Sequence, residues 1–195
     1  SNRAWQWDGS AFIDVSADLG IDVPMDGMGM GVGDLDGDLL PDLLLSDWGS
    51  VFLLESGSGR YTDTTLSRGL TLPDGAEVAW GAALADLDND ADLDAVVNFG
   101  FWELYGLEDG SNPAEQPDGV WVLGDDGQLS AVAEDWGVDH TGASRGVVVT
   151  DLDRDGHLDV LKQEIFGETR LLRGQCAEAG WPVSYTHLTL PTTYT

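Results

Sequence analysis

Three times along this chain the triplet Asp-Leu-Asp opens a nine-residue segment with aspartate at positions 1, 3, 5 and 9. The segments are DLDGDLLPD at 34–42, DLDNDADLD at 86–94 and DLDRDGHLD at 151–159. Each is followed by an apolar run, LLL, AVV or VL. Alternate residues of a tight loop point inward together, so each segment gathers four carboxylates into one small space. Carboxylates that close repel one another strongly unless a cation joins them or some stay protonated. A chain that repeats this arrangement in register is built from one structural unit used several times.

Other anchors keep the same register. A glycine stands five residues before each loop: Gly29, Gly81 and Gly146. Further upstream an apolar residue precedes a second glycine by eight places, in the pairs Phe12 and Gly20, Tyr61 and Gly69, and Leu129 and Gly137. The loops start 52 and then 65 residues apart. The longer interval holds FGFWELYGLEDGSNPAEQPDG, whose Pro and Gly punctuation reads as an inserted surface loop. Short β-type runs such as DLLLSD, SVFLLES, AVVNFG, GVWVLG and GVVVTD lie between glycine-rich turns, about four to a repeat. Four short strands in a repeat of this length make one propeller blade, which buries its faces only by stacking on its neighbours. The expected fold is all-β: a β-propeller fragment of about three four-stranded blades, with calcium-binding hairpin loops.

The loops suit a hard cation. Calcium takes six to eight oxygen ligands, and carboxylates at positions 1, 3, 5 and 9 with the carbonyl of position 7 supply most of them. The candidate ligands are Asp34, Asp36, Asp38 and Asp42 in loop one; Asp86, Asp88, Asp90 and Asp94 in loop two; and Asp151, Asp153, Asp155 and Asp159 in loop three. Up to three calcium ions are expected. An all-oxygen set with a large coordination number favours calcium over magnesium, and the lack of cysteine in the loops argues against zinc. Position 12, where an EF-hand needs a bidentate Glu, holds Leu45, Val97 and Lys162, and the flanks are β-like rather than helical. Position 6 calls for a sharp turn. Glycine stands there only in loop three, as Gly156; loop two has Ala91, and loop one has Leu39 with Pro41 beyond it, unless Gly37 relocates the turn. Loop three is therefore expected to bind most readily. His157, at position 7, is expected to use its backbone and turn its side chain to solvent.

The charge balance narrows the partners. With 36 acidic residues against 8 Lys plus Arg, the net charge is −28. Such a chain repels phosphate backbones and anionic lipid, which argues against nucleic acid and membrane insertion. One cysteine, Cys176, allows no intrachain disulfide. Residues 183–192, VSYTHLTLPT, carry no acid and match one reading frame of a transposase sequencing adapter. Val183–Thr195 is therefore expected to be a non-native read-through tail, set apart from propeller repeats over 1–182, with the native chain continuing past Pro182. A Thr-rich edge strand is the competing reading.

Together the acidic loop, its upstream glycine and phrases such as GSAFIDVSADLGI and SGRYTDTTLSRGL resemble the FG-GAP/VCBS repeat, which builds the propeller of integrin α-subunits. The closest likeness is to the ASPIC/UnbV and cartilage-acidic-protein type, over roughly residues 5–175. The resemblance implies a seven- or eight-bladed ring, of which three loops supply about three blades. It also implies calcium in the blade hairpins and an extracellular, cell-surface or periplasmic setting.

The function this supports is a calcium-binding module that presents a surface to a protein or glycan ligand. The alternative is the propeller portion of a secreted calcium-dependent hydrolase or lyase with its catalytic part elsewhere; no G-x-S-x-G, H-E-x-x-H or P-loop occurs here. Trp80 and Trp136 occupy repeat-linked positions and read as blade packing. Trp48, Trp102 and Trp121 lie near loops or the insertion. Phe101, Trp102 and Tyr105 make the best aromatic cluster for a ligand face, with a satellite core under a long loop as the favoured alternative.

Overall fold

The computed structural model describes residues 2–101, 115–165 and 167–174, and the backbone of 184–187. In chain order the elements are β1 (Trp5–Trp7), β2 (Phe12–Asp14), a one-turn helix α1 (Ser16–Leu19), β3 (Gly29–Gly33), β4 (Asp42–Ser46), β5 (Val51–Gly57), β6 (Arg60–Asp63), β7 (Ala79–Ala85), β8 (Asp94–Phe99), β9 (Gln116–Pro117), β10 (Gly119–Leu123), β11 (Leu129–Ala131), β12 (Thr141–Gly142), β13 (Ser144–Thr150), β14 (Asp159–Glu164), β15 (Arg170–Arg173) and β16 (Ser184–His187). Three four-stranded sheets result, ordered β3-β4-β5-β6, β7-β8-β10-β11 and β13-β14-β15-β16, antiparallel throughout. These are the three expected blades. The fourth strand of the third blade, β16, falls within 183–195. It pairs with β15 antiparallel, from Arg170 opposite His187 to Arg173 opposite Ser184.

Each acidic loop closes the hairpin between the first and second strands of a blade, in the same register three times: Gly33 faces Asp42, Ala85 faces Asp94, and Thr150 faces Asp159. The strand after the loop is sandwiched between neighbouring sheets, so it reads as a continuous apolar run rather than an alternating one. Its side chains still alternate in direction. Leu44 packs toward the second blade with Leu53, Phe99 and Trp121, while Leu45 packs the other way with Ile21 and Leu54. Val96, Val120, Val160 and Leu172 fill the space between the second and third blades. Trp121, placed near a loop by sequence, is wholly buried in the first of these cores.

The glycine five residues before each loop marks where first strands meet. A Cβ on Gly29 would collide with the Trp80 carbonyl, and one on Gly81 would lie 2.8 Å from the Arg145 oxygen and the Val147 nitrogen. Gly146 meets nothing nearer than Gln163 Oε1 at 3.7 Å, because no further first strand follows it among the described residues. The second anchor is a turn after each blade's last strand. Gly20, Gly69 and Gly137 hold φ of 72°, 78° and 65°, which glycine adopts without a steric penalty. The next residue, Ile21, Leu70 or Val138, plugs an interblade core. By this register the β1–β2 hairpin corresponds to the outer hairpins β5–β6 and β10–β11. It therefore packs on the first blade as an outer half-blade of its own.

The second and third blades also share a buried polar contact. Lys162 Nζ and Ser144 Oγ both donate to Asp118 Oδ2, and the Phe99 amide donates to Oδ1 at 2.8 Å. Lys162 occupies the position of Leu45 and Val97 in the other blades.

Candidate metal centre

The aspartate at position 9 begins the second strand and is shut away from water: Asp42 and Asp94 are 0 % exposed and Asp159 is 1 %. Its carboxylate ties the loop together. Oδ2 accepts the amide of position 2, from Leu35 at 2.7 Å, Leu87 at 2.8 Å and Leu152 at 3.0 Å. Oδ1 accepts an amide at the third-strand side of the blade, from Ser56 at 2.8 Å, Leu123 at 3.0 Å and Gly174 at 3.1 Å. These residues were candidate ligands by sequence; the structure makes each of them a bracket between loop and sheet as well.

Position 1 organises the turn. Its Oδ2 accepts the amide of position 6, from Leu39, Ala91 and Gly156, at 3.0–3.1 Å. Position 6 has positive φ in all three loops, 68° at Leu39, 78° at Ala91 and 93° at Gly156, and position 4 does too. Gly37 therefore does not relocate the turn of loop one. Leu39 and Ala91 hold a left-handed backbone that costs a side-chain-bearing residue about 1–2 kcal/mol. At position 5, Asp38, Asp90 and Asp155 each accept the amide of position 7 at 2.8–2.9 Å.

Within each loop three carboxylates offer oxygens lying within 4.8 Å of one another: Asp34, Asp36 and Asp42; Asp86, Asp88 and Asp90; Asp151, Asp153 and Asp159. Asp38, Asp94 and Asp155 stand outside these groups. Two oxygens each about 2.4 Å from a common calcium can be at most about 4.8 Å apart, so each group is close enough that it could share one ion. In loop one, Asp34 Oδ1 is buried with no hydrogen-bond donor. Its counterparts are satisfied: Asp86 Oδ1 accepts the Asp90 amide, and Asp151 Oδ1 accepts those of Arg154 and Asp155. A buried carboxylate oxygen without a donor calls for a cation.

Crowding shows in the proton affinities. Burial pushes the Asp94 carboxyl up to about 7 against the pull of the Leu87 and Leu123 amides, and repulsion from Asp88 and Asp90 adds to it. Burial also raises Asp88, helped by Asp90 and Asp86, and raises Asp42, helped by Asp36 and Glu55. A divalent ion removes these penalties together.

The loops differ in their neighbours. Asn89 Nδ2 donates to His157 Nδ1 at 2.7 Å across the second and third blades, so the half-buried His157 ring bridges two loops at a solvent-facing contact. Arg68 sits beside loop one, held to Glu55 Oε1 at 2.5 Å and to the Gly127 carbonyl. Arg173 ion-pairs with Asp153 of loop three. None of these contacts has a sequence signature, because each joins segments whose proximity depends on blade packing.

Away from the loops, Trp80 donates to the Gly100 carbonyl and lies 4.2 Å beneath Arg145, while Trp136 packs in the second interblade core. Trp48 is 46 % exposed and meets Phe101 edge-on at 5.3 Å. Trp102 and Tyr105 lie outside the described residues. Among the described residues no helix is long and apolar enough to cross a membrane.

Residues 34–97, from the first aspartate of loop one to the strand after loop two, match the family model of the FG-GAP-like repeat. No curated protein matches the chain. Such repeats often bind calcium and are typically extracellular. The chain thus contains an FG-GAP-like repeat, and the hairpin, turn and glycine contacts of that repeat recur in successive blades of a β-propeller-type module.

Proposed function

We propose that this chain is a calcium-binding β-propeller module of the extracellular, cell-surface or periplasmic space, presenting a surface to a protein or glycan ligand. The observation that carries the calcium reading is the recurrence, in three loops, of converging carboxylates on one shared backbone bracket. Ligand binding by the module rests on the family resemblance and on exposed Trp48, which with half-buried Phe101 offers an aromatic face at the blade ends opposite the acidic loops. The recurring outer-strand and turn phrases around Gly20 and Gly69 support the ASPIC/UnbV, cartilage-acidic-protein type. In each ion site the position 1 and 3 carboxylates would take the charge, while the bracket aspartate transmits the ordering of the loop to the sheet. Calorimetric titration of calcium into metal-free protein should give up to three ions per chain, with magnesium much weaker. Substituting both Asp86 and Asp88 by Ala should remove one ion. No calcium heat, or an unchanged count in that variant, would overturn the assignment.

A further inference from the structure

The residue just before the third-strand amide that binds the bracket aspartate is Glu55 in the first blade, Val122 in the second and Arg173 in the third. The three loops thus share one frame and carry an acid, an apolar side chain and a base at the same flanking position. In the first blade Glu55 is held by Arg68, which is itself committed to the Gly127 carbonyl. In the third blade the base turns onto the loop: Arg173 Nη2 donates to Asp153 Oδ2, one of the three converging carboxylates of loop three. The two side chains are 37 % and 32 % exposed, so the contact is open enough to exchange with solution.

We infer that Arg173 is a built-in competitor cation that sets the calcium threshold of loop three. The inference rests on the calcium reading of the loops and adds a regulation to it. In the metal-free protein the guanidinium neutralises part of the Asp151, Asp153 and Asp159 cluster, so the loop stays ordered without an ion. Calcium at Asp153 must displace it. A competitor that acts only in the metal-free state lowers apparent affinity by the fraction of time it holds the site. Loop three then fills at higher calcium than loop two, where Val122 offers no competition, although loop three alone has glycine at position 6. The module would keep loop two filled as a structural site while loop three responds to changes in calcium.

The test uses the full chain carrying Asp36→Asn and Asp88→Asn, which disable loops one and two and spare the bracket aspartates. Calcium is titrated calorimetrically into this background, into the same background with Arg173→Gln, and into it with Arg154→Gln. Arg154 supplies the same charge from position 4 of the loop without pairing to a cluster carboxylate. Arg173→Gln should tighten binding about fivefold, the scale of an open ion pair lost by the competitor, and Arg154→Gln by clearly less. Equal effects of the two variants would mean a general charge effect and overturn the inference, as would no change or weaker binding with Arg173→Gln. Absence of calcium binding in the unmodified chain would instead sink the calcium reading itself. Val122→Arg in the otherwise unmodified chain should weaken loop two, and no change there would count against the inference too.

Discussion

Loops one and three follow the same path and differ in what opposes a cation. Each has one side-chain-bearing residue in the left-handed region, Leu39 at position 6 of loop one (φ 68°) and Arg154 at position 4 of loop three (φ 65°), but in loop one Asp34 Oδ1 is buried without a donor. Loop three has glycine where the turn is sharpest and both Asp151 oxygens hydrogen-bonded, yet Arg173 sits on one of its carboxylates. Ease of folding the loop and readiness to take an ion are therefore separate properties. The first is set by the left-handed backbone at positions 4 and 6, the second by which charges remain uncompensated.

The largest expected effect separates the bracket from the ligands. In EGTA, Asp42→Ala should lower stability by about 3 kcal/mol, because the Leu35 and Ser56 amides lose a buried charged acceptor. Asp36→Ala in the same buffer should leave stability unchanged or raise it by relieving repulsion. In loop three Asp159→Ala should behave like Asp42→Ala, while Asp153→Ala, which strands Arg173, should cost at most about 1 kcal/mol. Urea unfolding of the four variants checks the ordering, and equal losses would erase the distinction.

A pH series sharpens the same contrast at loop two. Asp94, raised to about 7 chiefly by burial, keeps in the folded state a proton that the unfolded chain has already released. Proton uptake on folding means that stability falls as pH rises from about 4 toward 7. The metal-free protein should therefore weaken across that window, and Asp94→Asn should flatten the slope. With saturating calcium the decline should disappear or reverse. A metal-free stability that climbs over the same window would contradict the crowded-carboxylate account.

The smallest effects lie at position 6. Leu39→Gly should stabilise metal-free protein by about 0.5–1 kcal/mol, the left-handed strain relieved less the extra freedom of glycine in the unfolded chain. Gly156→Ala should cost about as much in loop three. If both changes are neutral, the positive φ at these positions carries no strain.

Much of this was legible in the residues. Alternating aspartates fixed the loops, and Gly29, Gly81, Gly20 and Gly69 stand where backbone contact or positive φ requires them. The bracket role of Asp42, Asp94 and Asp159 was not legible, because an aspartate that ties a loop to its sheet and one placed to ligate an ion look alike in sequence, and only burial and amide partners tell them apart. Leu152 shows a related limit. Leu35 and Leu87 at the same loop position are 4 % and 0 % exposed and Leu152 is 50 %, since its burial depends on a following blade absent from the described residues. The half-blade β1–β2 went unseen because residues 1–33 carry no acidic loop to mark it. Lys162 with Asp118, and Arg173 with Asp153, join residues far apart in sequence whose meeting only the stacking of blades creates.

The most direct test of the central claim is a thermal melt of the full chain in EGTA, in calcium and in magnesium. At calcium a hundredfold above Kd each filled loop adds about 2.7 kcal/mol, or roughly 5–10 °C in a domain of this size. The account predicts a shift at least that large with calcium and a much smaller one with magnesium. A cooperative melt at the same temperature in all three would contradict it, leaving the acidic loops as solvated turns on a propeller that holds together without metal.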